Sequence, residues 1–443
     1  MKIPQKAQIR GRRTKAARGA FPVVERVRSP GHPRLVLVPL PHAHTAAIAV
    51  HVRVGSRYER AAENGISHFL EHMLHRGTPR HPSAHEQALA FERLGGTLSA
   101  STTVDHGILG VSVPPENVEP ALELLAEVCR EPVLDAIEVE RGIVREEILE
   151  SLDARGRRVS PDDLLREAAF PDHALGRPIA GTLATLKRFD ERSLRRHHRA
   201  HYTSDLVVTV AGRYDRRAVL RTVERAFRLS SGRPPRAARP RVLAGPRLSF
   251  VRESSSQTSL RLGFRAPGER DRDEPAVELL LRVLDDGTST RLYHRLCDEG
   301  GLCYDVSALF EAYEDVGLFD FAAECSHERA VVVLSEIVSV VRDLRETGPR
   351  REELEKARER HRFQLAALQD SAPELAAFYG IGELTGFFRS PEERIARLER
   401  VSAEAVRAVA GRLFRPRELA LVVVGDVTAA QRRGVGRSLE SLA

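Results

Sequence analysis

Two histidines and a glutamate at close spacing are the residues of this chain best suited to chemistry. They are His68, Glu71 and His72, in Gly65-Ile66-Ser67-His68-Phe69-Leu70-Glu71-His72-Met73-Leu74-His75-Arg76-Gly77. On a helix, positions four apart share a face, with Cβ atoms roughly 5–6 Å from each other. Both imidazoles can then reach one divalent ion at the roughly 2.0–2.1 Å of a zinc–nitrogen bond. Glu71, three residues after His68, projects beside the same ion, where a carboxylate can take a proton from a metal-bound water. A chain with 17 histidines meets His-x-x-Glu-His by chance in about one case in twenty, and a buried, hydrogen-bonded histidine pair is the usual alternative. The surrounding elements must decide.

Those elements belong to a large chain. Its 443 residues leave room for about three domains. The hydrophobic content of 42% supports large cores, built mainly from Leu, Val, Ala and Ile because Trp is absent and aromatics are few. The net charge of +7 is local: Lys2, Lys6, Arg10, Arg12, Arg13, Lys15 and Arg18 face no acid within residues 1–24, so the body is neutral. Residues 1–21 read as a basic, disordered tail, without the apolar core of a secretory signal, rather than as a nucleic-acid arm. No apolar run reaches the ~20 residues of a membrane span. Cys129, Cys297, Cys303 and Cys325 form no Cys-x-x-Cys and read as small buried hydrophobes in a reducing compartment. The expectation is a cytoplasmic protein that binds neither nucleic acid nor membrane.

In chain order, Leu35–Pro39 and the alternating stretch Ile48–Val54 predict strands, and Gly65 to Gly77 bounds the motif helix. Further helices are expected near His85–Leu94, Pro120–Arg130, Ile137–Leu152 and Glu191–His201, with strands at Leu98–Thr103, Ile108–Val113 and Leu206–Val210. Seven residues make nearly two helical turns, so Glu140 and Glu147 share a face. The Pro-, Arg- and Gly-rich stretch 230–247 reads as a linker. Beyond it the plan repeats: Leu206–Gly212 aligns with Leu419–Gly425 at an offset of 213, which sets Glu147 on Arg360 and Glu140 on Glu353. The chain is a duplication in which only the first copy keeps metal-binding residue types. His197 and His201 are also four apart, but no Glu accompanies them.

These residues resemble the pitrilysin/insulinase zinc metallopeptidases, the inverzincin group that includes mitochondrial processing peptidase and many bacterial homologues. The likeness runs from about residue 22 to 430. The family pattern, His-x-x-Glu-His with a third ligand Glu some 75 residues on, implies Zn²⁺ held by His68, His72 and Glu147, with Glu71 as the proton-transferring base. Two neutral imidazoles and one carboxylate leave the open position that catalytic zinc requires. The family's second carboxylate corresponds to Glu140, which suits the orientation of a ligand. Gly95–Thr102 resembles the substrate-binding edge strand, so Ser99, Ala100 and Ser101 would take a peptide backbone by strand addition, with Ser99 where the family usually has Asn. Gly300-Gly301-Leu302-Cys303-Tyr304 resembles a stretch whose Tyr, here Tyr304, closes over substrate. The Arg expected seven residues earlier is Cys297, and a thiol cannot supply a guanidinium fork.

The resemblance implies an α+β fold of two homologous halves, each a mixed β-sheet covered by helices on one face. The first, 22–229, holds the metal, and the second, 248–443, lacks ligands. It implies a zinc-dependent peptidase acting on peptides or unfolded segments, as a homodimer or as a heterodimer with a related subunit that restores the missing Arg. The alternative is a non-catalytic subunit of the same fold in a hetero-oligomer.

Overall fold

The computed structural model of the protein describes residues 10–13, 21–233 and 235–442. Most of the basic tail lies outside the described residues. Within it Arg10–Arg13 form a strand rather than disordered chain, because they pair antiparallel with Glu25–Arg28.

Among the described residues the strands are β1 (Arg10–Arg13), β2 (Glu25–Arg28), β3 (Arg34–Pro39), β4 (Ala46–Val52), β5 (Ser99–Thr102), β6 (Gly107–Val113), β7 (Val207–Gly212), β8 (Arg247–Val251), β9 (Thr258–Ala266), β10 (Val306–Ala312), β11 (Gly317–Cys325) and β12 (Leu419–Val424). They form two sheets, ordered β1-β2-β3-β7-β4-β6-β5 and β10-β11-β9-β12-β8. The duplication is visible in the pairing. β7 runs parallel to β3 and antiparallel to β4, and β12 likewise runs parallel to β8 and antiparallel to β9. Both sheets are mixed, as expected for the α+β fold.

β7 and β12 are buried at every position, which accounts for their largely apolar sequences, interrupted in β7 by Thr209. Each ends at a glycine with positive φ, Gly212 (124°) and Gly425 (148°). A Cβ on Gly212 would stand 2.4 Å from the Thr45 carbonyl oxygen, so no larger residue fits there.

Two compact units result, and their boundaries are not those of a simple cut at 230–247. The first contains residues up to 148, 178–237 and 365–391. The second contains 149–177, 238–364 and 392 onward. Each unit therefore includes a segment from the other half of the sequence. Helix Ala372–Thr385 packs on β4 and β7 in the first unit, and helix Pro161–Ala169 packs on β9 and β12 in the second. The offset of 213 relates these two helices as well. To the helical layer expected on one face they add a helix on the opposite face, which is why the central strands have no exposed side. In the first unit Leu375, Ala376 and Tyr379 meet Val36, Val38, Ala47, Ala49, Val207 and Ala211. Gly380 lies so close to buried His51 that a Cβ would fall 1.9 Å from Nε2.

Candidate metal centre

The motif helix is Ile66–Met73, and it is fixed by its apolar side. Ile66, Phe69, Leu70 and Met73 are buried, whereas His68, Glu71 and His72 are half-buried. Its start is held by Glu59, whose carboxylate accepts from Gly65 N (2.8 Å), Ser67 N (2.9 Å) and Asn64 Nδ2 (3.0 Å). These are amides with no partner inside the helix, and a negative charge there also suits the helix dipole. Ser67 Oγ accepts from Gly55 N at 3.2 Å and bonds His197 Nε2 at 3.1 Å. Gly65 (φ 94°) lets the chain pass Ala180, whose carbonyl oxygen would be 2.5 Å from a Cβ.

The second contributing helix is Ile137–Glu150. Glu140, Val144 and Ile148 are buried, and Glu147, two turns beyond Glu140, remains half-exposed. Glu147 Oε1 lies 3.3 Å from His68 Nε2, and Oε2 lies 3.6 Å from His72 Nε2. The two rings meet edge to face, with centroids 4.7 Å apart. Among the described residues, these three form the one group of His, Cys, Asp and Glu side chains whose donor atoms all fall within 4.8 Å of one another. Donors bound at roughly 2.0–2.2 Å around a tetrahedral zinc ion stand about 3.3–3.6 Å apart. The donor types and the two measured separations therefore fit that ion. His68 Nδ1 is buried without a hydrogen bond among the described residues, which leaves Nε2 as the nitrogen turned toward Glu147.

Glu140 supports this group from behind. Its side chain is 5% exposed, and Oε2 lies 3.1 Å from His72 Nδ1. Its other oxygen accepts from Arg76 Nε. A carboxylate at Nδ1 places the ring proton there and directs the Nε2 lone pair toward Glu147. The electrostatics differ between the two histidines. The hydrogen bond to Glu147, reinforced by Glu140, raises the pKa of His72, while burial lowers that of His68. The hydrogen bond from His72 lowers the pKa of Glu147. Glu71 is close enough for its charge to favour the protonated forms of both rings.

The motif helix packs against β5. Among the described residues that strand pairs with β6 alone, so its other edge is the outer edge of the sheet. Ser99 and Ser101 are exposed and Ala100 is half-buried. Ser99 Oγ donates to the Gly110 carbonyl (3.1 Å), so this hydroxyl is engaged by its own sheet.

Tyr304 belongs to the second unit, whereas the metal-ligand group is assembled wholly from the first. Tyr304 is 94% exposed. Neither nearby arginine is available to replace the missing guanidinium. Arg291 forks onto Glu353 at 2.6 and 2.7 Å, and Arg295 pairs with Glu336 and Asp343. The second-half counterpart of Glu147, Arg360, pairs with Asp286 at 2.8 Å. Ion pairs thus occupy the positions equivalent to Glu140 and Glu147. His197, His198 and His201 are tethers, bonded to Ser67, the Cys129 carbonyl and the Arg53 carbonyl.

Arg76 and Glu59 were not singled out by the sequence reading. Arg76 lies just past the end of the motif helix, in the turn that follows Met73, so helical spacing does not mark it. Glu59 precedes the helix with no regular spacing to signal its role.

Residues 34–183 match the description Insulinase (Peptidase family M16), and residues 188–360 match Peptidase M16 inactive domain. An uncharacterized zinc protease of Mycobacterium bovis is 33% identical over 426 residues, covering 93% of this chain and 95% of that protein. The chain belongs to peptidase family M16. An uncharacterized zinc protease of Bacillus subtilis is 32% identical, covering 86% of this chain and 93% of that protein. A protease from Helicobacter pylori shares the fold with TM-score 0.85 at 21% identity, covering 91% of this chain and 100% of that one. The second match agrees with a duplicated half in which an arginine stands at the ligand position. Among the described residues, no helix is long and apolar enough to cross a membrane.

Proposed function

We propose that this M16 chain is a zinc-dependent peptidase that hydrolyses peptides or unfolded segments. The observation that carries the reading is the convergence of His68, His72 and Glu147 from two helices at separations suited to one ion. When bound, zinc supplies Lewis-acid polarisation of a carbonyl and acidifies a coordinated water. The chain's own residues do the rest. Glu140, held by Arg76, fixes the His72 tautomer and ring orientation. Glu71 accepts a proton from the attacking water and delivers it to the departing amine nitrogen. The outer edge of β5 offers backbone N–H and C=O groups to an extended peptide. Tyr304 contributes a substrate contact.

Cys297 supports a further element of this reading, since a thiol stands where the family resemblance expects a guanidinium. A related subunit supplies that group, or the chain works as a self-contained homodimer with a weaker grip on substrate. Robust peptide turnover by one purified species would remove the need for a related subunit.

The deciding experiment measures metal content and peptide hydrolysis together. Glu71→Gln should retain zinc and lose about 10²–10⁴ in kcat, the usual range for removing a general base. Glu147→Gln should lose zinc affinity first. Full activity in Glu71→Gln would remove the proton-transfer role, and unchanged zinc binding in Glu147→Gln would remove the ligand assignment.

A further inference from the structure

Cys297 and Cys303 lie in the second unit, outside the metal-ligand group, and the proposed chemistry does not use their sulfurs. The segment His294–Glu299 is a π-helix, a wide and uncommon winding that recurs at functional positions. It runs into Gly300 and then Gly301, which has a φ of 51°. Leu302 N donates to the Leu296 carbonyl at 2.8 Å, and Gly301 N to the Cys297 carbonyl at 3.2 Å. The chain thus doubles back, and the reversal sets Cys297 Sγ 3.9 Å from Cys303 Sγ. Arg329 donates to the Gly301 carbonyl and holds the turn from outside. Both thiols are half-buried, whereas Cys129 and Cys325 are buried. Tyr304 follows Cys303 directly and is almost wholly exposed.

We propose that Cys297 and Cys303 form a reversible oxidation site that closes into an intramolecular disulfide by exchange with a low-molecular-weight disulfide. Cys297 gives its proton to solvent and attacks one sulfur of the reagent, expelling a thiolate that takes up a proton. Cys303 then loses its proton and attacks the Cys297 sulfur, expelling the second reagent thiolate, which is also protonated. Two protein S–H bonds and one reagent S–S bond break. One protein S–S bond and two reagent S–H bonds form, so the protein loses two electrons and the reagent gains them.

Closure brings the sulfurs from 3.9 Å to about 2.05 Å, a movement within a turn that contains two glycines. Burial raises the pKa of Cys297 and pushes that of Cys303 up to about 12. Both thiols therefore ionise late, and exchange accelerates in alkali. The closed ring fixes the backbone from which Tyr304 projects. Resting on the peptidase reading, this predicts that oxidation changes KM for peptide more than kcat.

The test uses the full-length protein, reduced and then incubated with glutathione disulfide at about pH 8, near the pKa of an ordinary thiol. The acid-quenched protein is read by intact mass and peptide mapping. The expected product has lost two hydrogens, carries no glutathione, maps to Cys297 and Cys303, and is restored by dithiothreitol. Cys303→Ser should stop at a stable glutathione adduct on Cys297. Persistent adducts on the wild-type chain, a bond involving Cys129 or Cys325, or no reaction would each overturn the proposal. The mass readout does not depend on hydrolysis. A chain that closes the bond but neither binds zinc nor cleaves peptide counts only against the peptidase reading, and a zinc-binding, active chain that fails to close it refutes only this one.

Discussion

Arg76 decides how firmly His72 can hold a metal. Glu140 is nearly fully buried, and a buried carboxylate without a partner is costly. Arg76 supplies that partner and aims the remaining oxygen at His72. Arg76→Met should therefore weaken zinc binding about 10–100-fold, as loss of a group supporting a ligand typically does. A chelator competition would measure this. Arg76→Lys should recover part of the loss, because an ammonium restores charge but not the planar fork. At this scale the sequence was informative wherever one helix carried the signal. His68, Glu71 and His72 are adjacent, so spacing alone suggested them. Glu147 is 75 residues beyond His72, and only the family pattern pointed to it. For Cys297 and Cys303 the expectation of small buried hydrophobes was incomplete, because only the reversal at Gly300-Gly301 brings the two sulfurs together.

Among the elements, helix Pro161–Ala169 carries the clearest consequences. Its Leu165 lies against Gly263 of β9, where a Cβ would meet Leu165 Cδ1 at 2.9 Å. Leu165→Ala should cost about 2–5 kcal/mol, the usual range for a buried leucine, read as a lower midpoint in denaturant unfolding. The same helix brings Arg166 and Asp162 close to Asp320 on β11. Burial first, then the charges of Glu311 and Asp162, push the Asp320 pKa up to about 7, against the pull of Arg261 and Arg166. The folded state then keeps a proton that the unfolded chain releases above its ordinary pKa of 3.8. Wild-type stability is therefore lost as pH rises from that value through about 7. Relative to wild type, Asp320→Asn should gain about 2–3 kcal/mol between pH 5 and pH 8. Unfolding curves of both proteins at the two pH values would show it, and parallel pH profiles would refute it. The helix was missed in the sequence although its signal was present: Ser160 accepts from Asp163 N as a cap, Pro161 opens the helix, and acids fill the first turn. By contrast Leu206–Val210 was legible, since a largely apolar run needs no distant partner.

For the molecule as a whole, repetition could be read but assembly could not. The offset of 213 showed that like elements occur twice, and the matching strand orders bear that out. It did not show that Pro161–Ala169 and Ala372–Thr385 pack in the unit of the other half, because nothing in a helix's own sequence names the sheet that will cover it. A chain opened between Ala237 and Ala238 would give two fragments, each carrying the helix the other requires. Neither fragment alone should unfold cooperatively, whereas fragments produced together should copurify. A cooperative thermal transition in either isolated fragment would contradict the exchange.

The exchange also bears on synthesis. When β7 leaves the ribosome, one side of the first sheet (Val36, Val38, Ala47, Ala49, Val207 and Ala211) still has no cover. Its cover is encoded by residues 372–385, roughly 170 positions later, a wait of about 10–35 s at ordinary translation rates. The nascent chain must pass that interval with a greasy surface bare, which makes it a natural client for a holding chaperone and gives slow codons upstream of residue 372 a direct influence on yield.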